Sequence, residues 1–134
     1  MPNVPVGAVH EQNLLVTNEV AVDFLGTEAA RVLATPWMIG YMEMTARNGI
    51  LPHLEPGYDT VGTHVDVKHL AATPVGMQVT FRSEITAVDD RRVTCKVEAW
   101  DETEKIGEGI HERFIVNVER FGARVQAKAA ERQG

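Results

Sequence analysis

Hydrophobic residues change their spacing once along this chain, between two long stretches. From Thr35 to Leu54 they recur every three or four positions, the spacing that forms one apolar face of an α-helix. From Thr60 to Val118 they alternate with polar residues, which is the period of a half-buried β-strand. The pattern therefore predicts one long helix followed by a run of consecutive strands.

The ends of the predicted helix carry residues that favour helix ends. Thr35 is the predicted N-cap, and Pro36 suits the first helical position because its missing N–H and fixed φ cost nothing there. Pro52 and the cluster Glu55-Pro56-Gly57 close the other end. We expect a helix of about 15–19 residues.

Turn residues divide the alternating region into four predicted strands. The strands are Thr60–Ala72, Met77–Ala87, a strand with Val93, Cys95, Val97 and Ala99 on its apolar side, and Ile106–Val118. In the first strand, alternation assigns to the helix-facing side Val61, Thr63, Val65, Val67, His69 and Ala71. Short turns predict an antiparallel meander, and its apolar inner face requires a cover that only the long helix provides. The predicted fold class is α+β, an antiparallel sheet wrapped around one long central helix.

Weaker patterns flank these elements. Before the helix we expect a loose end over Met1–Val6, a weak strand over Gly7–Val16 and one helical turn over Glu19–Phe24. After the last strand, Glu119–Arg132 is predicted to be helical. The 134 residues suit a single domain, 1–134, with one core.

Composition narrows the functional class. No apolar run approaches the ~20 residues of a membrane span, and no signal-peptide pattern is present, so we expect a cytoplasmic protein without a membrane partner. The single cysteine, Cys95, fits a reducing compartment. A net charge of −6 argues against nucleic acid as a partner. Arg91 and Arg92 are the only two basic residues adjacent in the sequence, and they lie at a predicted turn. The simpler interpretation is a solvated hairpin end, and the alternative is a local basic patch that binds a phosphorylated small molecule.

Glu43 is the only charged residue between Arg31 and Arg47. In an apolar pocket, desolvation makes a carboxylate more basic, which is how carboxylates become bases or nucleophiles near neutral pH. The competing interpretation is an exposed Glu43 paired with Arg47 at i,i+4. On the helix alone, the ion pair is the simpler explanation.

Two further polar residues are predicted to lie near this helix. Thr35 stands at its N-terminus, and His69 is the one ionisable group predicted on the helix-facing side of its strand. Singly, a cap and a satisfied core-edge histidine explain them. Together with Glu43, a hydroxyl, a carboxylate and an imidazole at a helix N-terminus are typical of acyl transfer, because free N–H groups there can stabilise an oxyanion.

Other chemistries lack their signatures. The remaining histidines show no ligand spacing with cysteine or paired carboxylates, so no metal site is expected. No glycine-rich phosphate loop precedes a helix, and no G-x-S-x-G elbow is present. Cys95 alternates with core valines and is interpreted as a buried small hydrophobe.

Ordered motifs along the chain resemble the fluoroacetyl-CoA thioesterase group of hotdog-fold proteins. They are A-T-P-W-M-I-G-Y-M-E from Ala34, L-E-P-G from Leu54, V-G-T-H-V-D-V-K-H-L-A-A-T-P-V-G from Val61 and I-G-E-G-I-H-E-R-F from Ile106. The resemblance implies a hotdog fold and hydrolysis of a small acyl-CoA thioester to free acid and CoA. It also implies a homodimer, with a tetramer left open, and no metal or redox cofactor, coenzyme A entering only with the substrate.

The same resemblance assigns roles to four residues. The family's catalytic threonine, glutamate and histidine match Thr35, Glu43 and His69. The glycine whose N–H contacts the thioester carbonyl matches Gly62. Whether Glu43 acts as nucleophile or as general base is not decided by the resemblance.

One segment departs from the family pattern. The specialised fluoroacetyl enzyme carries a longer segment with phenylalanines before the helix, whereas Gly26–Val32 here is shorter and has none. We therefore expect a different acyl group. Two alternatives stay open: a non-catalytic acyl-CoA-binding hotdog protein, and a hotdog dehydratase or hydratase.

Overall fold

A computed structural model describes residues 3–132 of the chain. It is built on one five-stranded antiparallel sheet that curves around a single long helix. The elements are β1 (Val9–Leu15), α1 (Thr35–Ile50), β2 (Tyr58–His69), β3 (Gln78–Asp89), β4 (Arg92–Trp100), β5 (Lys105–Asn117) and α2 (Val118–Glu131). The predicted α+β class, the long helix, the weak first strand and the C-terminal helix are confirmed.

Helix α1 differs from the prediction at its start. Ala34 is the N-cap residue, and no side chain caps the helix. Thr35 is the first helical residue and Pro36 the second, so the prediction that Thr35 is the N-cap is wrong. At the other end, a 3₁₀ turn over Leu51–His53 continues the helix to the predicted breakers.

The strand order corrects the predicted meander. The sheet runs β1-β3-β4-β5-β2, so β2 pairs with β5 at the sheet edge and only β3, β4 and β5 form a meander. Residues 70–77 carry the chain across three strand spacings, about 14 Å, which eight residues span easily. Alternation defines the faces of a strand and carries no information about its pairing partner, which is why the sequence did not reveal this crossing.

A β-bulge in β2 corrects the predicted inner face. The register of β2 against β5 shifts between Gly62 and His64, which inserts Thr63 as an extra residue. Val65 and His69 keep the predicted helix-facing side, but before the bulge that side is taken by Thr60 and Gly62. The prediction is therefore wrong for Val61 and Thr63, because one inserted residue reverses the alternation.

The core lies between α1 and the concave side of the sheet. Predicted inward residues of β3 and β4 are buried, as is the apolar face of α1: Val79, Phe81, Ile85, Val93, Cys95, Val97, Ala99, Met38, Met42, Ala46 and Ile50. Val4 is also buried, at 7% exposure, so that part of the predicted loose end packs on the core, whereas Met1 and Pro2 lie outside the described residues. The predicted turn over Glu19–Phe24 is shorter, a 3₁₀ turn over Asn18–Val20.

Candidate active site

Thr35 and His69 lie in direct contact. Thr35 Oγ1 is 2.7 Å from His69 Nδ1, which joins the first turn of α1 to the last residue of β2. His69 pairs across the sheet with Gly107, and a Cβ atom on Gly107 would lie 2.7 Å from Met38 Sδ. The missing side chain at position 107 thus allows α1 to approach the sheet, which brings Thr35 and His69 together.

The environment of His69 keeps its ring neutral. Burial lowers the pKa of His69, because the imidazolium loses hydration. Its Nε2 is buried and has no hydrogen-bond partner among the described residues. A neutral imidazole bonded to a hydroxyl can take a proton from that hydroxyl or pass one back to it, depending on the tautomer.

An apolar cavity of about 390 Å³ opens beside the Thr35–His69 pair. Its wall includes Val22, Phe24, Leu25 and Leu70. Phe24 and Leu25 are largely exposed, at 79% and 57%. Large apolar side chains around two polar groups are typical of small-molecule sites.

Glu43 lies two turns further along α1 and is not paired with Arg47. Arg47 instead forms a bidentate ion pair with Asp59, at 2.6 and 3.0 Å. Glu43 Oε1 is 3.7 Å from Arg113 Nη1 and 3.9 Å from His111 Nε2. Both predicted settings for Glu43 are therefore wrong: its surroundings are charged and polar rather than apolar, and its cationic neighbour comes from β5.

Arg113 is a buried cation with a fixed guanidinium. It is 7% exposed, donates from Nε to Thr60 Oγ1 at 2.7 Å, and donates from Nη2 to the Thr60 carbonyl at 2.8 Å. Burial lowers the pKa of Arg113, and the Glu43 carboxylate opposes that shift. Among the described residues, Glu43 is the only carboxylate within 4 Å of it. The remaining guanidinium nitrogen, Nη1, therefore points at Glu43 and at His111.

The contacts of His111 decide which ring nitrogen carries the proton. Arg113 Nη1 lies 3.1 Å from His111 Nε2, and a guanidinium only donates, so Nε2 accepts. His111 Nδ1 then carries the proton and donates to the His64 carbonyl at 2.8 Å. Burial lowers the pKa of His111, which agrees with a neutral ring. The ring thus supports Arg113 without adding a charge.

The sequence interpretation missed His111 and Arg113. It predicted His69 to be the one ionisable group on the helix-facing side of its strand, yet the facing strand β5 places both groups on the same concave side of the sheet. The alternation of β5 carried this information, because His111 and Arg113 lie on the same face of the strand as the buried Ile115.

Gly62 lies against the Glu43 carboxylate. A Cβ atom built on Gly62 would stand 2.6 Å from Glu43 Oε1 and 3.1 Å from His111 Cε1. The bulge next to Gly62 turns it to this side of the sheet. The missing side chain at position 62 therefore lets the Glu43 carboxylate lie directly against the backbone of β2.

The four predicted site residues form two pairs. Thr35 contacts His69, and Glu43 lies against Gly62, but no contact joins the two pairs within the described chain. Thr35 and Glu43 are eight residues apart on α1, about 12 Å along its axis.

No group of three or more metal-ligating side chains was found among the described residues. None of the helices within residues 3–132 combines the length and the hydropathy of a membrane span.

Comparisons with known proteins agree on one family. The family model for fluoroacetyl-CoA-specific thioesterase matches residues 16–119. The fluoroacetyl-CoA thioesterase of Streptantibioticus cattleyicolor is 42% identical over 101 residues, 75% of this chain and 73% of that protein. A solved structure of the fluoroacetyl-CoA thioesterase FlK superposes with a TM-score of 0.84 at 36% identity, covering 92% of this chain and 96% of that one. A hypothetical protein of Thermus thermophilus, a thioesterase superfamily member, gives 0.90 at 32% identity, covering 99% and 98%. These likenesses confirm the predicted hotdog fold.

Proposed function

This chain belongs to the fluoroacetyl-CoA-specific thioesterase family, and from that membership we propose that it hydrolyses an acyl-CoA thioester to the free acid and CoA. The observation that carries the proposal is the close approach of the Glu43 carboxylate to the backbone of Gly62, beside the buried Arg113. A thioester carbonyl held next to this contact would be within reach of both the carboxylate and the strand backbone. That arrangement is the one acyl transfer requires.

Glu43 is the group that starts the reaction in this proposal. Its carboxylate attacks the thioester carbon, or it takes a proton from a water molecule that attacks instead. Arg113 supports either route, because a fixed guanidinium 3.7 Å away holds the carboxylate in position. The N–H of Gly62 holds the carbonyl oxygen as negative charge develops on it. The C–S bond then breaks, and the CoA thiolate takes a proton.

Thr35 and His69 are assigned to the same reaction. If Glu43 attacks the thioester itself, the resulting acyl–Glu43 anhydride must then be hydrolysed by water. If Glu43 acts as a general base, water attacks the thioester in the first step. Both routes need a proton carrier, and a neutral imidazole hydrogen-bonded to a hydroxyl is suited to that task. The apolar cavity beside the pair accommodates the acyl group or the adjoining part of the pantetheine arm.

A homodimer would bring the two pairs of residues together. Thr35 and Glu43 are about 12 Å apart within one chain, too far to act on one carbonyl. The outer edge of β2 has no partner strand among the described residues, and unpaired edges of this kind favour strand pairing between two copies. We propose that Thr35 and His69 of one protomer face the Gly62–Glu43 pair of its partner.

Mixing two inactive variants tests this shared site. Thr35→Ala and Glu43→Gln chains, each inactive alone, are expected to recover about a quarter of wild-type activity when co-expressed, since half the dimers are mixed and each mixed dimer holds one intact site. Sedimentation of the wild type checks the dimer. A site contained within one chain would recover nothing.

The main experiment is thiol release from a panel of short, branched and aromatic acyl-CoAs, with fluoroacetyl-CoA and acetyl-CoA included. Glu43→Gln should lose about 10² to 10⁴ in kcat. The matched control is Glu55→Gln, which changes an exposed carboxylate just beyond α1. Binding without thiol release would favour the binding-module alternative, and an enoyl absorbance change without thiol release would favour a hydratase. Activity of Glu43→Gln within a few-fold of wild type would refute the assignment.

The acyl group is expected to differ from fluoroacetyl, because Gly26–Val32 lacks phenylalanine, and the panel decides this directly. The chemistry described needs no metal or redox cofactor, so activity should survive dialysis against a chelator. We propose a cytoplasmic location, which suits a buried cysteine that is free in the described chain.

A further inference from the structure

A second cavity, of about 590 Å³, lies between β5, the start of α2 and the turn that joins β3 to β4. We call it the arginine cavity. Three arginines line it, Arg91, Arg120 and Arg124, together with Phe114 and Ala123. Its volume is within the range of small-ligand sites. None of the proposed catalytic residues belongs to it.

The charges in the arginine cavity are uncompensated. Among the described residues, no carboxylate lies within 4 Å of Arg91, Arg120 or Arg124, although the whole chain carries a net charge of −6. Other arginines of the chain, such as Arg47 and Arg82, are paired with acids. Three like charges converging on one cavity repel each other, and a bound anion would remove that repulsion.

The fold fixes the backbone under each of these arginines. The Arg91 carbonyl accepts from the Ile115 N–H at 2.8 Å, which holds the β3–β4 turn against β5. The N–H of Arg120 donates to the Asn117 side chain at 3.0 Å, the cap of α2. Arg124 follows Arg120 by one helical turn and therefore shares its face. Rigid elements thus hold the backbone of all three arginines around one cavity.

The floor of the cavity offers an aromatic surface beside the cations. Phe114 is 39% exposed, which is unusual for a ring in the middle of a sheet strand. Arginine binds phosphate through paired hydrogen bonds, and a nucleobase stacks on an exposed aromatic face. Multiple arginines next to one ring therefore match a nucleotide that carries several phosphates.

We propose that the arginine cavity binds the adenosine 3′-phosphate 5′-diphosphate end of the CoA substrate. This inference rests on the proposed function, which supplies the CoA. Phe114 follows Arg113 in β5 and lies on the opposite face of the sheet, since alternate residues face opposite sides. The pantetheine arm therefore passes around the end of the sheet near Asn117, with the nucleotide outside and the thioester at Glu43.

Direct binding tests the cavity without any hydrolysis. Calorimetry with adenosine 3′,5′-bisphosphate is expected to show binding to the wild type that weakens with added salt. Arg120→Gln/Arg124→Gln should weaken it by about tenfold or more, since each charged hydrogen bond contributes roughly that factor. Lys128→Gln, one turn further along α2 and outside the cavity, is the matched control. Glutamine keeps a good helix propensity, and circular dichroism checks that α2 is intact.

Four ligands separate the sources of an anion signal: CoA, dephospho-CoA, adenosine 3′,5′-bisphosphate and inorganic phosphate. Dephospho-CoA should bind more weakly than CoA, and inorganic phosphate much more weakly than either. Equal affinity for phosphate and adenosine 3′,5′-bisphosphate would mean a simple anion site and would overturn the nucleotide assignment. Equal affinity of the double variant and the wild type for CoA would overturn the location.

Kinetics links the cavity to turnover. The double variant should raise KM for an acyl-CoA about tenfold with kcat nearly unchanged, and leave hydrolysis of the matching acyl-pantetheine unaltered. A wild type that binds CoA in the cavity but hydrolyses nothing would defeat the proposed function and leave this inference standing. If the wild type hydrolyses acyl-CoA and the double variant has the same KM, the proposed function stands and the assignment of the nucleotide to this cavity is refuted.

Discussion

Gly62 stands against the carboxylate of Glu43 so closely that a Cβ atom at position 62 would lie 2.6 Å from Glu43 Oε1. The two residues come from different elements, the edge strand β2 and the middle of α1. They meet because the bulge at Thr63 turns Gly62 toward the helix. This contact joins the strand backbone to the carboxylate nearest Arg113 among the described residues.

Gly62→Ala should reduce activity more than stability. The new methyl group would mainly displace the Glu43 carboxylate, the flexible end of a side chain, and would press less on the His111 ring, whose Cε1 would lie 3.1 Å away, so the loss of stability should be the smaller effect. We expect kcat to fall about 10²-fold, comparable to losing one oxyanion donor. Thiol release and thermal unfolding measure the two effects. Gly122→Ala, where an added Cβ meets nothing within 4 Å, is the control. An unchanged kcat in Gly62→Ala would show that the contact is not used.

Arg113→Gln should lower both stability and kcat. The guanidinium donates two hydrogen bonds to Thr60 and one to His111, and its loss should reduce the free energy of unfolding by at least about 2 kcal/mol. Glu43 also loses its cation, so kcat should fall more than KM changes. Arg113→Lys, which keeps the charge, should recover part of kcat.

A double-mutant cycle separates the structural role of Arg113 from its effect on Glu43. In the Glu43→Gln background, Arg113→Gln should have little further effect on kcat while still lowering stability. Full additivity in kcat would mean that Arg113 acts independently of Glu43.

Thr35→Val should remove activity and leave stability nearly unchanged. Thr35 does not cap α1, and its hydroxyl bonds to His69 instead. Losing a true N-cap would cost about 1 kcal/mol, which thermal unfolding of the variant would detect. We expect instead a loss of about 10² or more in kcat, with Thr35→Ser, which retains the hydroxyl, close to wild type. If Thr35→Val instead lost about 1 kcal/mol of stability and kept a normal kcat, Thr35 would be a helix cap rather than a catalytic residue.

Stability should decrease as the pH falls below neutrality. Burial lowers the pKa of His111 and of His69, so below about pH 6.5 the unfolded chain binds more protons than the folded protein. These two rings contribute fully to the free energy of unfolding above that pH, and their contribution is lost as the pH falls toward the pKa values they have in the folded protein. Tm at about pH 5.5 should therefore lie below Tm at about pH 7.5.

Substitution of His111 identifies the source of this pH dependence. His111→Gln keeps a donor and an acceptor but cannot be protonated, so it should reduce the Tm difference between the two pH values. His53→Gln, at an exposed position after α1, should leave that difference unchanged. Equal pH dependence in His111→Gln and wild type would assign the effect to other groups.

Local patterns predicted most of the elements, because they depend on neighbours along the chain. The three-and-four spacing from Thr35 and the alternation around Val79 and Val93 record which side of each element is apolar. Burial then requires the helix to cover the sheet. Thr35, Glu43, His69 and Gly62 were also identified from sequence, although their roles came from a family resemblance rather than from spacing.

Three features depended on tertiary structure. The pairing of β2 with β5 depends on how a loop crosses the sheet, which alternation does not record. The bulge at Thr63 reverses the face of every residue on one side of it, and it is visible only in the register of β2 against β5. The partners of Thr35 and Glu43 were likewise decided in three dimensions, since His69 and Arg113 are distant in sequence and meet these side chains only when the sheet closes on α1.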